Sequence, residues 1–357
     1  MTNLTPYLKS LLNRPPTLTP SDLTEVLDLL LQDKASDIQM ASFLTCLRIT
    51  GLDHSPEFIA AAAKRLMSEA KRIDSSKVDP AGYVDIVGTG GDGQNTFNVS
   101  TTASIVAGGA GINVCKHGGK ASTSASGAGD LLTSLGVNTS NVTNVTAPEI
   151  LKSSNYCFLF APVFHPAMAK IAVLRKELGI PSIFNILGPL LNPIPIKARI
   201  IGVYSESLGR VFAEAVKELN TAAGRPGSRA LIVWGTEGLD EISPAGPSKI
   251  WEVTASGEIK EYTVTPADFG LPEHSLETVK SGTPQENAKV VEKLVNNELE
   301  ENHPILDYVL INAGALAYID GSAKDWKEGV ALARESITSG RAKTTLKEFV
   351  EASNKEY

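Results

Sequence analysis

Cysteine and aromatic side chains are both scarce in this sequence. Three cysteines, Cys46, Cys115 and Cys157, are spread over 357 residues without a C-x-x-C pair. A disulfide framework is therefore disfavoured, and three reduced, buried thiols are expected. Aromatic residues make up 6% of the chain, although apolar residues make up 42%. That composition provides a large core and, with many glycines and alanines, favours closely packed α/β structure over a sandwich or barrel of short strands.

The sequence also lacks an excess of basic residues and a long apolar run. Lys and Arg number 33 against 40 Asp and Glu, a net charge of −7, which disfavours a sequence-independent nucleic-acid binder. No apolar run approaches the roughly 18 residues that a membrane span needs. The first residues lack the apolar segment and cleavage site of a secretory signal. We therefore expect a cytoplasmic protein that binds neither nucleic acid nor a membrane.

The pattern of secondary structure changes near residue 80. Before this point the sequence predicts only helices: Thr19 and Asp22 form a capping-box pair, and the helix that Ser36 opens ends at Gly51. Beyond it, helical stretches alternate with five short, largely apolar runs, most of them containing Val and Ile, at 83–88, 112–118, 156–162, 198–204 and 229–235. This alternation predicts a mostly parallel sheet that is covered on both faces.

The predicted fold class is therefore α/β, with a small all-helical domain and a large α/β domain whose central, mostly parallel sheet is flanked by helices. The helical domain is assigned to residues 1–78, with added helices from about 166–195, and the α/β domain to residues 79–357. A cleft between the two domains is the default position for a ligand site.

A glycine-rich stretch follows the first predicted strand. Gly88, Gly90 and Gly93 have the G-x-G-x-x-G spacing of a dinucleotide-binding turn, which also requires an Asp or Glu about 20 residues later. Residues 93–129 contain no acid, and the stretch KHGGKASTSASGAG (116–129) offers cations and hydroxyls instead. Both loops therefore indicate phosphate binding through backbone amides and cations. A tight turn and a solvated loop are the simpler alternatives.

Acidic residues occur in and near the predicted phosphate site, although a carboxylate repels a phosphate. Asp92 would repel a phosphate directly, so its position needs a sugar hydroxyl, a metal or a water between them. Asp240 and Glu241 are adjacent after a predicted strand; they are either solvated surface or, beside a polyphosphate, ligands of Mg²⁺. The polar residues of NVST (98–101) are either helix caps or donors to phosphate and Mg²⁺. Position alone leaves both interpretations open.

The ordered set of motifs resembles the anthranilate phosphoribosyltransferase family, whose fold is shared with class II nucleoside phosphorylases. The motifs are GTGGD (88–92), NVST (98–101), KHG (116–118), HPAM…R (165–175), FNILGPLLNP (184–193) and DE (240–241). With the helical N-terminus and the tail, the resemblance covers nearly the whole chain. It implies transfer of the phosphoribosyl group of phosphoribosyl pyrophosphate to anthranilate in tryptophan biosynthesis. It also implies Mg²⁺ as cofactor and a homodimer formed through the helical domain.

The resemblance further implies roles for individual residues. Those that would contact phosphoribosyl pyrophosphate, in the α/β domain, are Gly88, Gly91, Asp92, Thr96, Asn98, Val99, Ser100, Thr101, Lys116, His117, Gly118, Gly119, Lys120, Ser122, Thr123, Ser124 and Ala128. Those that would contact anthranilate are Gly88, Gly119, His165 and Arg175. Mg²⁺ would be held by Ser100, Asp240 and Glu241. No residue is assigned as a general acid or base.

The sequence departs from the family pattern after the second predicted strand. The usual run Lys-His-Gly-Asn-Arg reads KHGGK here, so Gly119 replaces an Asn that would contact anthranilate and Lys120 replaces an Arg. This change concerns the acceptor site more than the donor site. Two other functions are considered: a pyrimidine nucleoside phosphorylase-like enzyme, whose signature G-x-T-G-G-T-x-D-K-L is absent, and a non-catalytic phosphate-binding regulator, against which the intact site residues argue.

Overall fold

The computed structural model describes residues 3–120 and 125–357, and it begins with four helices. They are α1 Thr5–Leu12, α2 Pro20–Leu31, α3 Asp37–Thr50 and α4 Pro56–Ser68. The capping box predicted at α2 is confirmed, because Thr19 Oγ1 accepts the Asp22 N–H at 3.2 Å and Asp22 Oδ2 accepts the Thr19 N–H at 2.8 Å. The cap of α3 is Ser36, and the helix ends where Gly51 adopts a φ of 74°.

Seven strands form one sheet in the order β3-β2-β1-β4-β5-β6-β7. They are β1 Tyr83–Gly88, β2 Val114–Gly118, β3 Tyr156–Phe160, β4 Ile196–Gly202, β5 Arg229–Gly235, β6 Ser248–Val253 and β7 Ile259–Val264. β1 to β5 are parallel, as predicted, and β6 and β7 add an antiparallel hairpin at one side. The carboxyl ends of β1, β2 and β4 therefore meet at one edge, where open sheets bind ligands.

Helices cover both faces of the sheet. Those after β1 are α5 Val99–Gly109, α6 Ala128–Ser134, α7 Ala147–Ile150, α8 Ala161–Phe164, α9 Met168–Leu178, α10 Ser207–Ala222, α11 Pro284–Val295, α12 Pro304–Asp320, α13 Trp326–Thr338 and α14 Arg341–Ser353. The nearly fully buried α5 and α12 pack together beneath one face. A Cβ at Gly109 of α5 would lie 2.6 Å from the Ala342 nitrogen of α14. Glycine therefore permits the close approach of these two helices.

The other face of the sheet packs against α10 and the N-terminal helices. Ile201 of β4 belongs to the same buried apolar cluster as residues of α1 to α4 and as Ile171 and Leu174 of α9. The helices expected from about 166–195 are α9 and the short 3-10 turns Ile183–Asn185 and Gly188–Leu190. The boundary between two domains at residue 78 stays a prediction. In the part of the chain that the structure describes, no helix is both long and apolar enough to span a membrane.

Candidate active site

A polar cavity of about 210 Å³ lies at the carboxyl ends of β1 and β2, below the segment that follows β5. Most of the predicted site residues line it: Gly88, Asp92, Thr96, Asn98, Val99, Ser100, Thr101, Lys116, His117, Gly118, Gly119, Lys120, Ala128, Asp240 and Glu241. Gly91 belongs to the same loop but not to the cavity wall, and neither His165 nor Arg175 lines the cavity. Residues 122–124 lie outside the described residues.

Glycines at the ends of two strands allow Asp240 to lie directly over the sheet edge. A Cβ at Gly88 would be 2.2 Å from Asp240 Oδ2, and a Cβ at Gly202 would be 1.5 Å from the Asp240 carbonyl oxygen. The Gly90 N–H then donates to Asp240 Oδ2 at 2.7 Å. The glycine loop and the segment after β5 are therefore joined by one carboxylate, at positions where a larger residue would not fit.

The glycine loop turns through a series of left-handed residues before α5. Gly90, Gly91 and Gly93 have φ angles of 69°, 82° and 70°, which glycine adopts without strain. Within this turn Asp92 Oδ1 accepts the Gln94 N–H at 3.3 Å, and Gln94 Nε2 donates to the Glu237 carbonyl oxygen at 2.7 Å. Together with the bond from the Gly90 N–H to Asp240, the Gln94 bond fixes the loop to the segment after β5 at two points.

Asn98 stands at the N-cap position of α5, but its side chain does not cap the helix. Its Nδ2 donates to the Ser126 carbonyl oxygen at 2.7 Å, and its Oδ1 accepts from Asn287 Nδ2 at 2.8 Å. The capping interpretation therefore does not hold for Asn98, which instead links α5 to the second loop and to α11. The first amides of α5 are left without a side-chain cap, at the positive end of the helix dipole.

Lys116 is buried at the end of β2 and reaches across to β1 and α5. Its Nζ donates to the Ile86 carbonyl oxygen and, at 3.3 Å, to Ser100 Oγ. Burial lowers the Lys116 pKa, while the carboxylates of Asp85, Glu241 and Asp240 oppose that change. A buried ammonium group surrounded by three acids and open to a polar cavity can contact an anionic ligand as a point charge.

Asp240 and Glu241 form a strongly perturbed acidic pair. Burial, and then the neighbouring Asp92, raise the pKa of Asp240 to about 7; burial and Asp240 raise that of Glu241 to about 8. Ser100 hydrogen-bonds to Glu241. For Glu241, the repulsion from Asp240 outweighs the attraction of Lys116.

The described residues contain no cluster of three or more His, Cys, Asp and Glu side chains suited to enclose a metal ion. A hard cation that needs only two carboxylates, with phosphate and water oxygens completing its shell, still fits this donor set. That requirement describes Mg²⁺ beside a polyphosphate. The acidic pair can therefore hold such an ion only together with a ligand.

His117 and His165 lie edge to face, with ring centroids 5.3 Å apart. Burial, followed by the charge on His165, lowers the pKa of His117 to about 3, so its ring is neutral. Burial also lowers the pKa of His165, whose Nε2 donates to the Leu191 carbonyl oxygen at 2.7 Å. His165 is thus one ring behind the cavity wall, and it supports His117 rather than facing the cavity.

Arg175 lies on α9, outside the cavity wall. Its side chain is half-buried, and burial lowers its pKa. In residues 3–120 and 125–357 no hydrogen-bond acceptor or acid is paired with its guanidinium group. The structure therefore leaves Arg175 with a charge that no described residue neutralises, but it does not bring Arg175 to the residues of the two loops.

Several residues of the site were missed by sequence reasoning. The cavity is also lined by Val87, Gly90, Asn95, Phe97, Ser126 and Gly127. Beneath it, buried Asp85 accepts the His117 N–H at 3.1 Å and Asn192 Nδ2 at 2.8 Å. An acid inside the apolar run YVDIVG was a usable signal for Asp85, because a buried carboxylate requires partners. The lining role of Phe97 and Val87 had no comparable signal.

Family models and known proteins match this architecture over most of the chain. The helical bundle domain of a glycosyl transferase family matches residues 5–70, and the a/b domain of that family matches residues 81–343. The fold and the loop-built cavity therefore define a glycosyl transferase with these two parts.

Individual relatives narrow the family. Anthranilate phosphoribosyltransferase of Schizosaccharomyces pombe is 47% identical over 334 residues, covering 94% of this chain and 92% of that protein. The solved structure of the Saccharomyces cerevisiae anthranilate phosphoribosyltransferase in complex with PRPP and Mg superimposes with a TM-score of 0.90 at 42% identity, covering 98% of this chain and 97% of that one. The Thermus thermophilus enzyme gives a TM-score of 0.86 at 36% identity, over 98% of this chain and 99% of that one. The chain belongs to the anthranilate phosphoribosyltransferase family.

Proposed function

We propose that the cavity at the carboxyl ends of β1 and β2 is where the chain transfers a phosphoribosyl group from phosphoribosyl pyrophosphate to anthranilate. The products are N-(5-phosphoribosyl)anthranilate and pyrophosphate, and the reaction belongs to tryptophan biosynthesis. One observation carries the assignment: a glycine loop, the uncapped start of α5 and buried Lys116 surround a perturbed acidic pair in one cavity. Anionic donor and cation are both needed to balance that set of charges.

The donor's phosphates are assigned to the two loops and the start of α5. Amides of Gly88 and Gly91, the hydroxyls of Ser100 and Thr101, and Lys116 supply donors. The remaining proposed contacts are Asp92, Thr96, Asn98, Val99, His117, Gly118, Gly119, Lys120, Ser122, Thr123, Ser124 and Ala128. Asp92, being an acid, is assigned to a ribose hydroxyl or to a cation rather than to phosphate. This division follows from charge: amides and ammonium attract the phosphates, and carboxylates accept from hydroxyls.

The metal assignment rests on the acidic pair. Ser100, Asp240 and Glu241 would hold Mg²⁺, with the donor's phosphate oxygens and water completing its ligands. When bound, Mg²⁺ supplies positive charge next to the departing pyrophosphate. Burial, and after it the charge of a neighbouring acid, raises the pKa of both carboxylates. A divalent cation stabilises such a donor set, because it neutralises both charges.

Anthranilate is assigned to the side of Gly119, next to Gly88, with Arg175 completing its contacts and His165 behind the wall. A Cβ at Gly119 would have no atom of the described residues within 4 Å. Arg175 would neutralise the carboxylate of anthranilate, which accounts for a half-buried guanidinium with no described acidic partner. His165 would act through His117, whose buried Nε2 has no described hydrogen-bond partner.

The proposed reaction is direct displacement at C1 of the ribose with inversion. The amine nitrogen of anthranilate forms the new bond as the bond from C1 to the pyrophosphate oxygen breaks, and pyrophosphate leaves with the electron pair. The nitrogen then loses one proton to solvent, which gives the neutral secondary amine of the product. Lys116 and the loop amides stabilise the negative charge that develops there. The aromatic amine is neutral at pH 7, so placement of the amine against C1 supplies much of the remaining rate. The neutral, buried His117 is not assigned as a base.

A homodimer through the helical domain is the proposed assembly. Leu12 of α1 and Ile38 and Ile49 of α3 are 63%, 81% and 74% exposed. Ile38 and Ile49 lie on one stripe of α3, with the smaller Ser42 and Thr45 between them. A second copy would cover this apolar surface. Sedimentation of the chain with Ile38→Asp and Ile49→Asp tests it: the pair should give monomers, and an unchanged mass would contradict the interface. A domain boundary at 78/79 and a cytoplasmic location are proposed separately from the dimer.

The function is tested by the fluorescence of anthranilate. It should fall when phosphoribosyl pyrophosphate and Mg²⁺ are added to the chain, and it should remain constant when either is omitted. A parallel assay with a pyrimidine nucleoside and phosphate should show no cleavage. Nucleoside cleavage without consumption of anthranilate would refute the proposed function in favour of a phosphorylase, and binding of the donor without either reaction would favour a regulator.

A further inference from the structure

A second, larger cavity of about 500 Å³ lies at the opposite edge of the sheet from the active site. Its walls come from the start of β4 and the segment before it, and from the carboxyl ends of α4 and α10. The lining residues are Lys64, Met67, Arg72, Ile73, Ser75, Leu190, Asn192, Pro193, Ile194, Pro195, Ile196, Arg199, Leu219, Asn220, Ala222, Ala223 and Arg225. Of the residues assigned to the reaction, none that the structure describes belongs to this basic cavity.

The basic cavity contains four cationic side chains, Lys64, Arg72, Arg199 and Arg225, and no acid is among its lining residues. Arg72 Nε is occupied, because it donates to the Met67 carbonyl oxygen at 3.0 Å. For Arg199 and Arg225 no side-chain hydrogen bond, and no ion pair within 4.0 Å, is formed with any residue that the structure describes. Two guanidinium groups therefore face a cavity without a bound counter-charge.

The two guanidinium groups also repel each other. Arg199 is on the central strand β4, where burial and the charge on Arg225 both lower its pKa. The acids that act on this group of cations stand outside the cavity wall: Asp85 attracts Arg199, and Glu218 attracts Lys64. Like charges held together at a half-buried position cost free energy that an anion between them would recover.

The rest of the wall is apolar, which restricts the class of ligand. Met67, Ile73, Leu190, Ile194 and Leu219 surround the cations. An inorganic anion would leave this surface uncovered, whereas an organic anion with an apolar body would bury it while its carboxylate, sulfonate or phosphate reached the arginines. A volume of about 500 Å³ is within the range of small-molecule sites.

Asp85 connects the basic cavity to the active site. It is the register partner of Arg199 across β1 and β4. Its carboxylate accepts from Asn192 Nδ2, which lines the basic cavity, and from the backbone N–H of His117, which lines the active site. Lys116 and Arg199 both attract this one carboxylate. An anion bound to Arg199 would weaken the attraction between Arg199 and Asp85. It would thus change the electrostatic potential that Asp85 creates at Lys116.

We propose that the basic cavity binds a small organic anion with an apolar body through Arg199 and Arg225, and that its occupancy changes donor affinity through Asp85. Binding at the basic cavity is independent of the proposed function, while the change in donor affinity rests on it. The two parts are therefore measured separately.

Binding is measured with the fluorescent probe anilinonaphthalene sulfonate on the full chain, with saturating pyrophosphate and Mg²⁺ present to occupy the active site. We expect one saturable site, and affinity about tenfold lower in Arg199→Gln and in Arg225→Gln, the loss typical of one charged hydrogen bond. The matched control is Arg210→Gln, an exposed residue of α10 paired with Glu214. Arg225 follows α10 in a surface loop, so its variant tests the site even if Arg199→Gln does not fold. Equal affinity in all four proteins would overturn the proposal.

Coupling is measured as the KM for phosphoribosyl pyrophosphate with and without the same probe. We expect a change of about fivefold or more in the unmodified chain at a probe concentration that just saturates it, and a clearly smaller change in Arg225→Gln, which should bind the probe about tenfold more weakly. An unchanged KM in the unmodified chain would overturn the coupling through Asp85, and an equal change in Arg225→Gln would place the effect at the active site. Absence of any transferase activity would refute the proposed function and leave the probe titration as the test of the cavity.

Discussion

Replacement of Asp240 by Asn should make the unliganded protein more stable at alkaline pH. Asp240 is buried, and its pKa is raised to about 7 from the ordinary 3.8 by burial and by Asp92. An ionised Asp240 therefore costs folding free energy, which the neutral amide does not. Because the amide retains an oxygen acceptor, the bond from the Gly90 N–H to this position can persist.

The sign and the size of the effect follow from proton linkage. A carboxylate whose folded pKa is raised binds a proton in the native state that the unfolded chain releases, so stability falls as pH rises between 3.8 and about 7. From pH 5.5 to pH 7 this amounts to about 2 kcal/mol for Asp240, at about 1.36 kcal/mol per pH unit. Glu241, with a pKa raised to about 8, adds to the fall in the same direction. Removing the charge of Asp240 also weakens that second contribution.

Urea unfolding at pH 5.5 and at pH 8 measures the difference. The unmodified chain should lose at least about 2 kcal/mol of unfolding free energy between these pH values, and Asp240→Asn should lose less than half of what the unmodified chain loses. Exposed Glu273→Gln, which removes a carboxylate elsewhere, should behave like the unmodified chain. Mg²⁺ with pyrophosphate should restore stability at pH 8 in the unmodified chain but less in Asp240→Asn. Identical pH dependence in the unmodified chain and Asp240→Asn would refute the claim that ionising the buried Asp240 costs folding free energy.

Three further substitutions test separate parts of the molecule. Arg175→Ala should raise the KM for anthranilate by about tenfold or more while the KM for the donor changes little, and equal effects on both would reject its role. Gly119→Asn should be tolerated or improve anthranilate binding, since the position is open; loss of all activity would show that the loop differs from the family pattern. Gly209→Ala would place a Cβ 2.2 Å from the Trp251 ring and should cost about 1–3 kcal/mol in urea unfolding, with Gly227→Ala, where a Cβ would lie an ordinary 3.9 Å from the Ala255 carbonyl oxygen, as the control that should not.

The parallel part of the fold was predictable because its signals are local and strong. β1 to β5 are mostly buried, so they read as short, largely apolar runs, rich in Val and Ile or, in β3, in aromatic residues. Thr19 and Ser36 mark helix starts in the sequence itself. β6 and β7 gave no such signal, since charged and polar residues interrupt both SKIWEV and IKEYTV, and three of the six residues of β7 are exposed. An antiparallel hairpin at the side of the sheet needs only one covered face. Its position depended on contacts that the sequence does not display.

The predicted site residues of the two loops line one cavity, whereas residues joined to them across the fold were missed. The two glycine-rich loops and the acidic pair could be linked to phosphate and cation chemistry from composition alone. The partners of Asn98 are Ser126 and Asn287, which lie 28 and 189 residues away, so local sequence favoured a cap that the structure lacks. The basic cavity joins four cations that span residues 64–225. Their spacing in the sequence does not indicate that they share a cavity, because only the folded sheet and helices bring them together.

Asp92 is an acid within the proposed phosphate-binding loop, and its effect on the neighbouring acids suggests a role for it. Its charge raises the pKa of Asp240 and of Glu241, so the three carboxylates together oppose an anion that arrives alone. Amides at the start of α5 and Lys116 attract the same anion. A cation that binds between the acids and the phosphates converts the repulsion into attraction, and donor binding then depends on the metal. Asp92 is therefore expected to control the order of binding: Asp92→Asn should allow measurable binding of the donor without Mg²⁺, as followed by calorimetry, and an unchanged need for the metal would show that Asp240 and Glu241 impose it by themselves.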